Sequence, residues 1–204
     1  IEAHGGYVFS TGGDGFAVTF HPDKLDAPLH WRAPQRIFMG SMTDWMHPDV
    51  KTDWIDSVLE IMMSCPQHTF LTLTKRPENL EEKLYGSTHE NSCRVLGGGD
   101  FLSNLWHGVT VENQDYIWRI EKLFKIPAAG HFVSIEPMLG EVVLNGNHWF
   151  EGPPKCNHGT DYLTGDVLHW PKGYKRVVGQ LDAKLDWVIC GGETGPGARP
   201  MKPD

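Results

Sequence analysis

Cysteine is scarce in this chain: four in 204 residues, at positions 65, 93, 156 and 190, with no two spaced as C-x-x-C. That excludes a disulfide-stapled scaffold and reads as a chain for a reducing, cytoplasmic setting. No apolar run approaches the roughly 20 residues needed to cross a bilayer, so no membrane role is expected. Positive charge is also lacking. The formal net charge is −8, which argues against coating nucleic acid by charge alone but leaves room for a local basic pocket. There is no H-x-H and no H-E-x-x-H, so a zinc hydrolase has little support. No repeat of fixed period is present.

What is there is a rhythm. A short apolar run ends in a polar, often acidic, cluster, and a helix-like segment follows. Arg36-Ile37-Phe38-Met39-Gly40 leads into Ser41-Met42-Thr43-Asp44. Beyond it Val50, Trp54, Val58 and Met62 recur every four residues, with Ile55 and Leu59 beside them. Those residues form one face of an amphipathic helix. His68 to Leu73 leads into Thr74-Lys75-Arg76, after which Pro77 can start a helix and Gly86 can end it. Leu105 to Val111 leads into Glu112-Asn113. Asn113 suits an N-cap, with Ile117, Ile120 and Phe124 at helical spacing before Pro127. His131 to Ile135 leads into Glu136-Pro137, and Leu185 to Ile189 into CGGETGPGAR. Phe16 to Phe20 offers a further strand.

Strands alternating with helices predict βαβ units and an α/β fold with a parallel sheet or barrel. Residues 145–184 carry Gly, Pro, Asn and His with no helical period and read as a long irregular insertion. Ser87 to Asp100, with Gly97-Gly98-Gly99, reads as a flexible patch.

In parallel α/β folds, ligands meet the C-terminal ends of the strands. The candidate ligand-binding residues are therefore Ser41, Asp44, Thr74, Lys75, Arg76, Glu112, Asn113, Glu136, Gly191, Gly192, Glu193 and Arg199. Four of them are carboxylates from four strand ends. Acids gathered at one mouth need a positive partner: Lys75 and Arg76, a divalent metal, or a cationic ligand. Each acid could instead cap a helix N-terminus. Gly191-Gly192 lets backbone approach a ligand closely and could cradle an anion. Glu193 could accept from an amine or ribose hydroxyls, and Arg199 could pair with a carboxylate or phosphate. A tight turn with a surface arginine would look the same. His68, His107 and His131 lie at strand starts, where residues serve stability. His21 and His47 precede prolines and could pin turns or face the mouth. Cys156 and His158 give only a weak metal signal.

Five stretches in this order carry a resemblance: FHPDKLDAPLHWRAPQRIFMGSMTDWMHPDV, FLTLTKRPENL, WHGVTVENQ, FVSIEPMLGEV and DWVICGGETGPGARPM. Together, over residues 17–144 and 185–203, they resemble the phage-associated three-cysteine-motif proteins, a radical-SAM-like family of unassigned function. The resemblance implies a (βα)-repeat partial TIM-like barrel of the radical-SAM type. It implies one barrel domain over 1–204, with the insertion at about 145–184. It further implies a [4Fe–4S] cluster on three cysteines and S-adenosylmethionine on the cluster's open iron. The acids, Lys75 and Arg76 would hold the cofactor's methionine end, its ribose and the substrate. The three-cysteine segment should lie before Ile1, and the last strand and helix after Asp204, so the barrel is expected to be incomplete at both ends. None of the four cysteines matches a cluster position, and no metal ligand is assigned in this chain. The Gly-Gly-Glu of such enzymes follows an early strand, whereas here it follows a late one, so its role does not transfer by letters alone. A methyltransferase-like partner protein, often encoded nearby, is implied, and the substrate could be a nucleic acid or nucleotide. Two readings stand beside this one: a Mg²⁺-dependent enzyme of a phosphate ligand, and a non-catalytic barrel that binds a partner protein or nucleic acid.

Overall fold

The longest helix, α1 (Thr52–Ser64), forms where the four-residue apolar period predicts it. Ile55, Val58, Leu59 and Met62 are buried along one face, the stripe a core-facing helix needs. Trp54 stands at the edge of that stripe, half-buried, with its ring stacked on Phe20 at 5.2 Å. The structure is a computed structural model, and it describes residues 9–11, 18–39, 43–85, 102–144, 157–170, 176–180 and 183–199. The glycine patch before Asp100 lies outside them.

The described chain is mixed α/β and divides into two compact units, Ile1–Val109 with Lys125–Gly130, and Thr110–Phe124 with His131–Asp204. In the first unit, β1 (Phe9–Thr11) and β2 (Val18–Phe20) pair antiparallel. The anticipated strand at 16–20 therefore exists, but as half of a small hairpin-like pair rather than as part of a parallel sheet. The parallel strands of this unit are β3 (Arg36–Met39), β4 (Thr69–Thr74) and β5 (Leu105–Thr110), with β4 between the other two. Pro77 begins a 3₁₀ turn that runs into α2 (Leu80–Tyr85). Proline suits that position because its missing N–H would have no helical partner there.

In the second unit, Asn113 accepts from the Asp115 N–H at 2.9 Å and caps a 3₁₀ turn leading into α3 (Trp118–Leu123). Strand β6 (Gly130–Ile135) is buried at every position, as expected of a strand covered on both faces. It pairs parallel with the last described strand, Trp187–Cys190, with Cys190 opposite Ile135.

The described part of the insertion is not irregular. It contains β7 (Asn157–Thr160), β8 (Asp166–Trp170) and β9 (Arg176–Gln180), which form a three-stranded antiparallel sheet; the last strand, Trp187–Cys190, is then β10. The β7–β8 turn is held by Asp161, whose Oδ1 accepts from the N–H groups of Leu163 and Thr164, and Gly165 supplies the left-handed residue at φ 79°. Tyr162 anchors this turn in the core. It is buried, its hydroxyl donates to Glu121 of α3 at 2.9 Å, and burial followed by the nearby carboxylate pushes its pKa up. The short β-branched stretches of β8 and β9 carried a strand signal that glycine and proline around them outweighed.

Candidate ligand-binding strand ends

Each unit gathers its own set of the anticipated residues. In the first unit they meet at Asp44, which follows β3. Its Oδ1 accepts from the Thr74 hydroxyl at 2.6 Å and the Met46 N–H at 3.0 Å. Its Oδ2 accepts from the Lys75 N–H at 3.1 Å and from Arg76 Nη1 at 2.8 Å. The Arg76 N–H in turn donates to the Thr74 hydroxyl at 2.9 Å. The residues after β3 are thereby fastened to the C-terminal end of β4. Ser41 lies outside the described residues.

The loop after Asp44 is clamped by residues that sequence reasoning did not single out. Asn79 donates to the Met46 carbonyl at 2.9 Å, and Lys83 Nζ donates to the carbonyls of His47 at 2.5 Å and Val50 at 2.8 Å. Burial pushes the Lys83 ammonium below its ordinary pKa, against the pull of Glu82, Asp44 and Asp49. Trp45 is buried, stacks on the His107 ring at 6.0 Å, and leaves its indole N–H without an acceptor among the described residues.

The histidines at strand starts are packed. His68 is buried, accepts from the Gln35 N–H at Nδ1 and sets Nε2 3.0 Å from the Pro28 carbonyl. His107 is buried 2.8 Å from the Thr72 hydroxyl. His47 accepts from the Asp49 N–H at 3.2 Å and pins its turn.

In the second unit, Glu112 pairs with Arg119 at 2.8 Å, with side-chain exposures of 8% and 9%. Arg119 also donates to the Thr110 carbonyl at 2.7 Å and lies over the Tyr116 ring at 4.2 Å, while its Nε has no partner among the described residues. This counter-charge was not anticipated; its one sequence signal is that it stands on the first turn of the helix that Asn113 announces.

The parallel pairing of β6 and β10 brings Glu136 and Gly191 side by side. The Gly191 N–H donates to the Ile135 carbonyl at 3.2 Å, and its carbonyl accepts from the Met138 N–H at 2.9 Å. A Cβ on Gly191 would collide with Glu136 Oε1. The glycine is therefore what lets that carboxylate lie over the backbone. Glu136 is exposed, and no arginine pairs with it among the described residues. Two residues further on, Glu193 accepts from the Arg199 N–H at 2.9 Å, Nε at 2.8 Å and Nη2 at 2.5 Å. The Arg199 hydrogen bonds hold Glu193 down to a pKa of about 2 and raise that of Arg199. Gly195 and Gly197, at φ 103° and 83°, let the loop turn back on itself. Gly192 sits half-buried between these groups.

A family model described as "Protein of unknown function (DUF5131)" matches residues 3–204. The chain belongs to that family. No curated protein and no solved structure matches this DUF5131 chain. Among its described residues, no group of three or more His, Cys, Asp or Glu side chains could hold a metal ion, and no helix is long and apolar enough to cross a membrane. The free cysteines described are Cys65, buried with its thiol pKa raised by burial, and Cys190, exposed.

Proposed function

We propose that this chain is the ligand-binding part of an enzyme of the radical-SAM type, related to the phage-associated three-cysteine-motif proteins and built as a partial (βα) barrel. Glu136 holds the α-amino group of S-adenosylmethionine. The observation that carries the reading is the seat of Glu136 on Gly191. Of the four strand-end carboxylates, three face an arginine of the chain. Glu136 is exposed and lies against backbone that only glycine allows. An exposed carboxylate placed this way is an acceptor open to an ammonium group. Bound S-adenosylmethionine would supply an activated methyl or adenosyl group. Glu136 would orient it, and the Gly191-Gly192 backbone would let it approach.

An iron–sulfur cluster is a different matter. The described residues do not fit one, since they offer a buried thiol and a single exposed thiol. A methyltransferase-like partner and a nucleic-acid substrate belong to the same reading. With a net charge of −8, nucleic acid would have to be recognised locally.

The test is calorimetric titration of S-adenosylmethionine into the complete protein, its Glu136→Gln variant and its Gly191→Ala variant. Removing the charged acceptor should weaken binding roughly tenfold, and the added methyl should do the same by displacing the carboxylate. Unchanged affinity in both variants would remove Glu136 from the site.

A further inference from the structure

We infer that Tyr116 is a stacking platform for a nucleobase, and that the side-chain amide of Asn113 donates to the edge of that base. The site lies wholly in the second unit. It goes beyond the reading of Glu136 and does not rest on it.

An aromatic ring serves as a platform only if it is both open and held. Tyr116 is 37% exposed. The Arg119 guanidinium covers one face of its ring at 4.2 Å, so the exposure falls on the opposite face and the edges. Arg119 is itself fixed. Its Nη1 donates to the Thr110 carbonyl at 2.7 Å and to Glu112 at 2.8 Å, and its side chain is nine-tenths buried. The Tyr116 N–H donates to the Asn113 carbonyl at 3.2 Å, which fixes the backbone end. A ring backed on one face and anchored at its root loses little freedom when a ligand stacks on the other face. Trp118, equally exposed, lies against the same guanidinium at 5.9 Å. Covering Arg119 uses only the inner faces of these rings.

The occupant follows from what the platform offers. Glu112 neutralises Arg119, so there is no net charge here to draw an ion. A flat apolar face remains, and its natural partner is a neutral planar group. Asn113 narrows the choice. Its Oδ1 accepts from the Asp115 N–H at 2.9 Å, so Nδ2 is the free end, and it makes no hydrogen bond among the described residues. That leaves two N–H donors one turn from the ring. A plain phenyl ring has no use for them. A nucleobase carries ring nitrogens or carbonyl oxygens at its edge, and unpaired bases are recognised by a stacked face plus hydrogen bonds to the edge. The position agrees. Glu112 and Asn113 follow a parallel strand, the side on which α/β folds receive ligands. The Leu139 N–H, donating to the Glu112 carbonyl at 2.8 Å, ties this strand end to the segment leaving Glu136. With a net charge of −8, a single nucleoside suits the site better than a strand of nucleic acid.

The experiment titrates adenosine, and separately benzyl alcohol, into the complete protein and follows the ring protons of Tyr116 by NMR. Adenosine carries no ammonium group for Glu136 to hold, so the outcome is independent of that reading. Adenosine should move the Tyr116 ring protons upfield, with saturation, and bind at least about tenfold more tightly than benzyl alcohol. Tyr116→Leu keeps an apolar side chain but loses the face, and should weaken adenosine roughly tenfold; Tyr116→Phe, which restores the face, should recover it. Asn113→Ser keeps an N-cap and loses the free amide, and should narrow the gap between adenosine and benzyl alcohol roughly fivefold. Because Tyr116 lies over a buried arginine, Tyr116→Leu is compared only if its circular dichroism matches the parent; the parent's own ring shifts carry the test otherwise. Tyr116 ring protons unmoved by adenosine, undiminished affinity in a folded Tyr116→Leu, or benzyl alcohol binding as tightly as adenosine would each overturn the platform. An unchanged gap in Asn113→Ser would overturn the role of the amide.

Discussion

Glu112–Arg119 and Glu193–Arg199 are the same two groups, seven and six residues apart in sequence. The first pair has side-chain exposures of 8% and 9%, and the second 25% and 66%. In the first, the arginine also satisfies the Thr110 carbonyl and lies over Tyr116. In the second, the arginine folds its own loop back onto the carboxylate and makes no other ion pair among the described residues. Burial makes the first pair hard to do without, because either charge left alone inside would be uncompensated. Exposure makes the second adjustable, because water and salt can replace either partner. An acid at a strand end is therefore a weak indicator of function until its counter-charge and burial are known.

The largest expected effect breaks the buried pair. Arg119→Ala should destabilise the protein by about 3–5 kcal/mol in urea unfolding, because the Glu112 carboxylate stays buried without its partner. The double replacement Glu112→Leu with Arg119→Met should cost less than Arg119→Ala alone, since no charge then remains inside. A loss below about 1 kcal/mol for Arg119→Ala would place this pair in the exposed class.

A medium effect sharpens the contrast between fixed and yielding neighbours at two glycines. On Gly130 a methyl would meet the Trp106 ring at 2.5, 2.6 and 2.8 Å. An indole packed beside a strand cannot swing away, so Gly130→Ala should cost about 1–3 kcal/mol. On Gly191 the obstacle is the end of the Glu136 side chain, which can rotate aside. Gly191→Ala should therefore leave the urea midpoint nearly unchanged while displacing the carboxylate. Equal losses at both positions would mean that Glu136 is held as rigidly as Trp106.

Much of the fold was legible because its parallel strands are short apolar runs with sharp polar ends. Each of the five appears within a few residues of its expected place, and the α1 stripe and the Asn113 cap follow directly from periodicity and side-chain chemistry. The β7–β9 sheet was not legible. Its strands are four or five residues long, and β9 contains a glycine, so turn-forming composition hid the alternation. At the strand ends, the sequence identified acids but not their partners. Arg76 lies 32 residues from Asp44, a distance that only the parallel pairing of β3 and β4 closes. Arg119 faces inward only because of the phase of α3. The seat of Glu136 on Gly191 joins residues 55 positions apart, and no local pattern announces it.

The smallest expected effect titrates the exposed pair. Glu193 has a pKa of about 2 in the folded loop against an ordinary value of 4.5, chiefly through its hydrogen bonds from Arg199. A depressed carboxylate pKa means that the folded loop favours the charged form. Its contribution is complete above about pH 4.5 and is lost progressively as the pH falls towards about 2. The Glu193 carboxyl carbon, followed by NMR, should titrate with a midpoint near 2 in the parent and clearly higher in Arg199→Ala, short of the ordinary 4.5 because the backbone N–H at 199 still donates to it. High salt should raise the parent's midpoint, because both side chains meet solvent. If the midpoint stayed near 2 in Arg199→Ala, the depression would belong to the loop's own N–H groups. The N–H at position 199, rather than the guanidinium, would then hold the carboxylate, and the contrast with Glu112 would rest on the backbone rather than on the arginine.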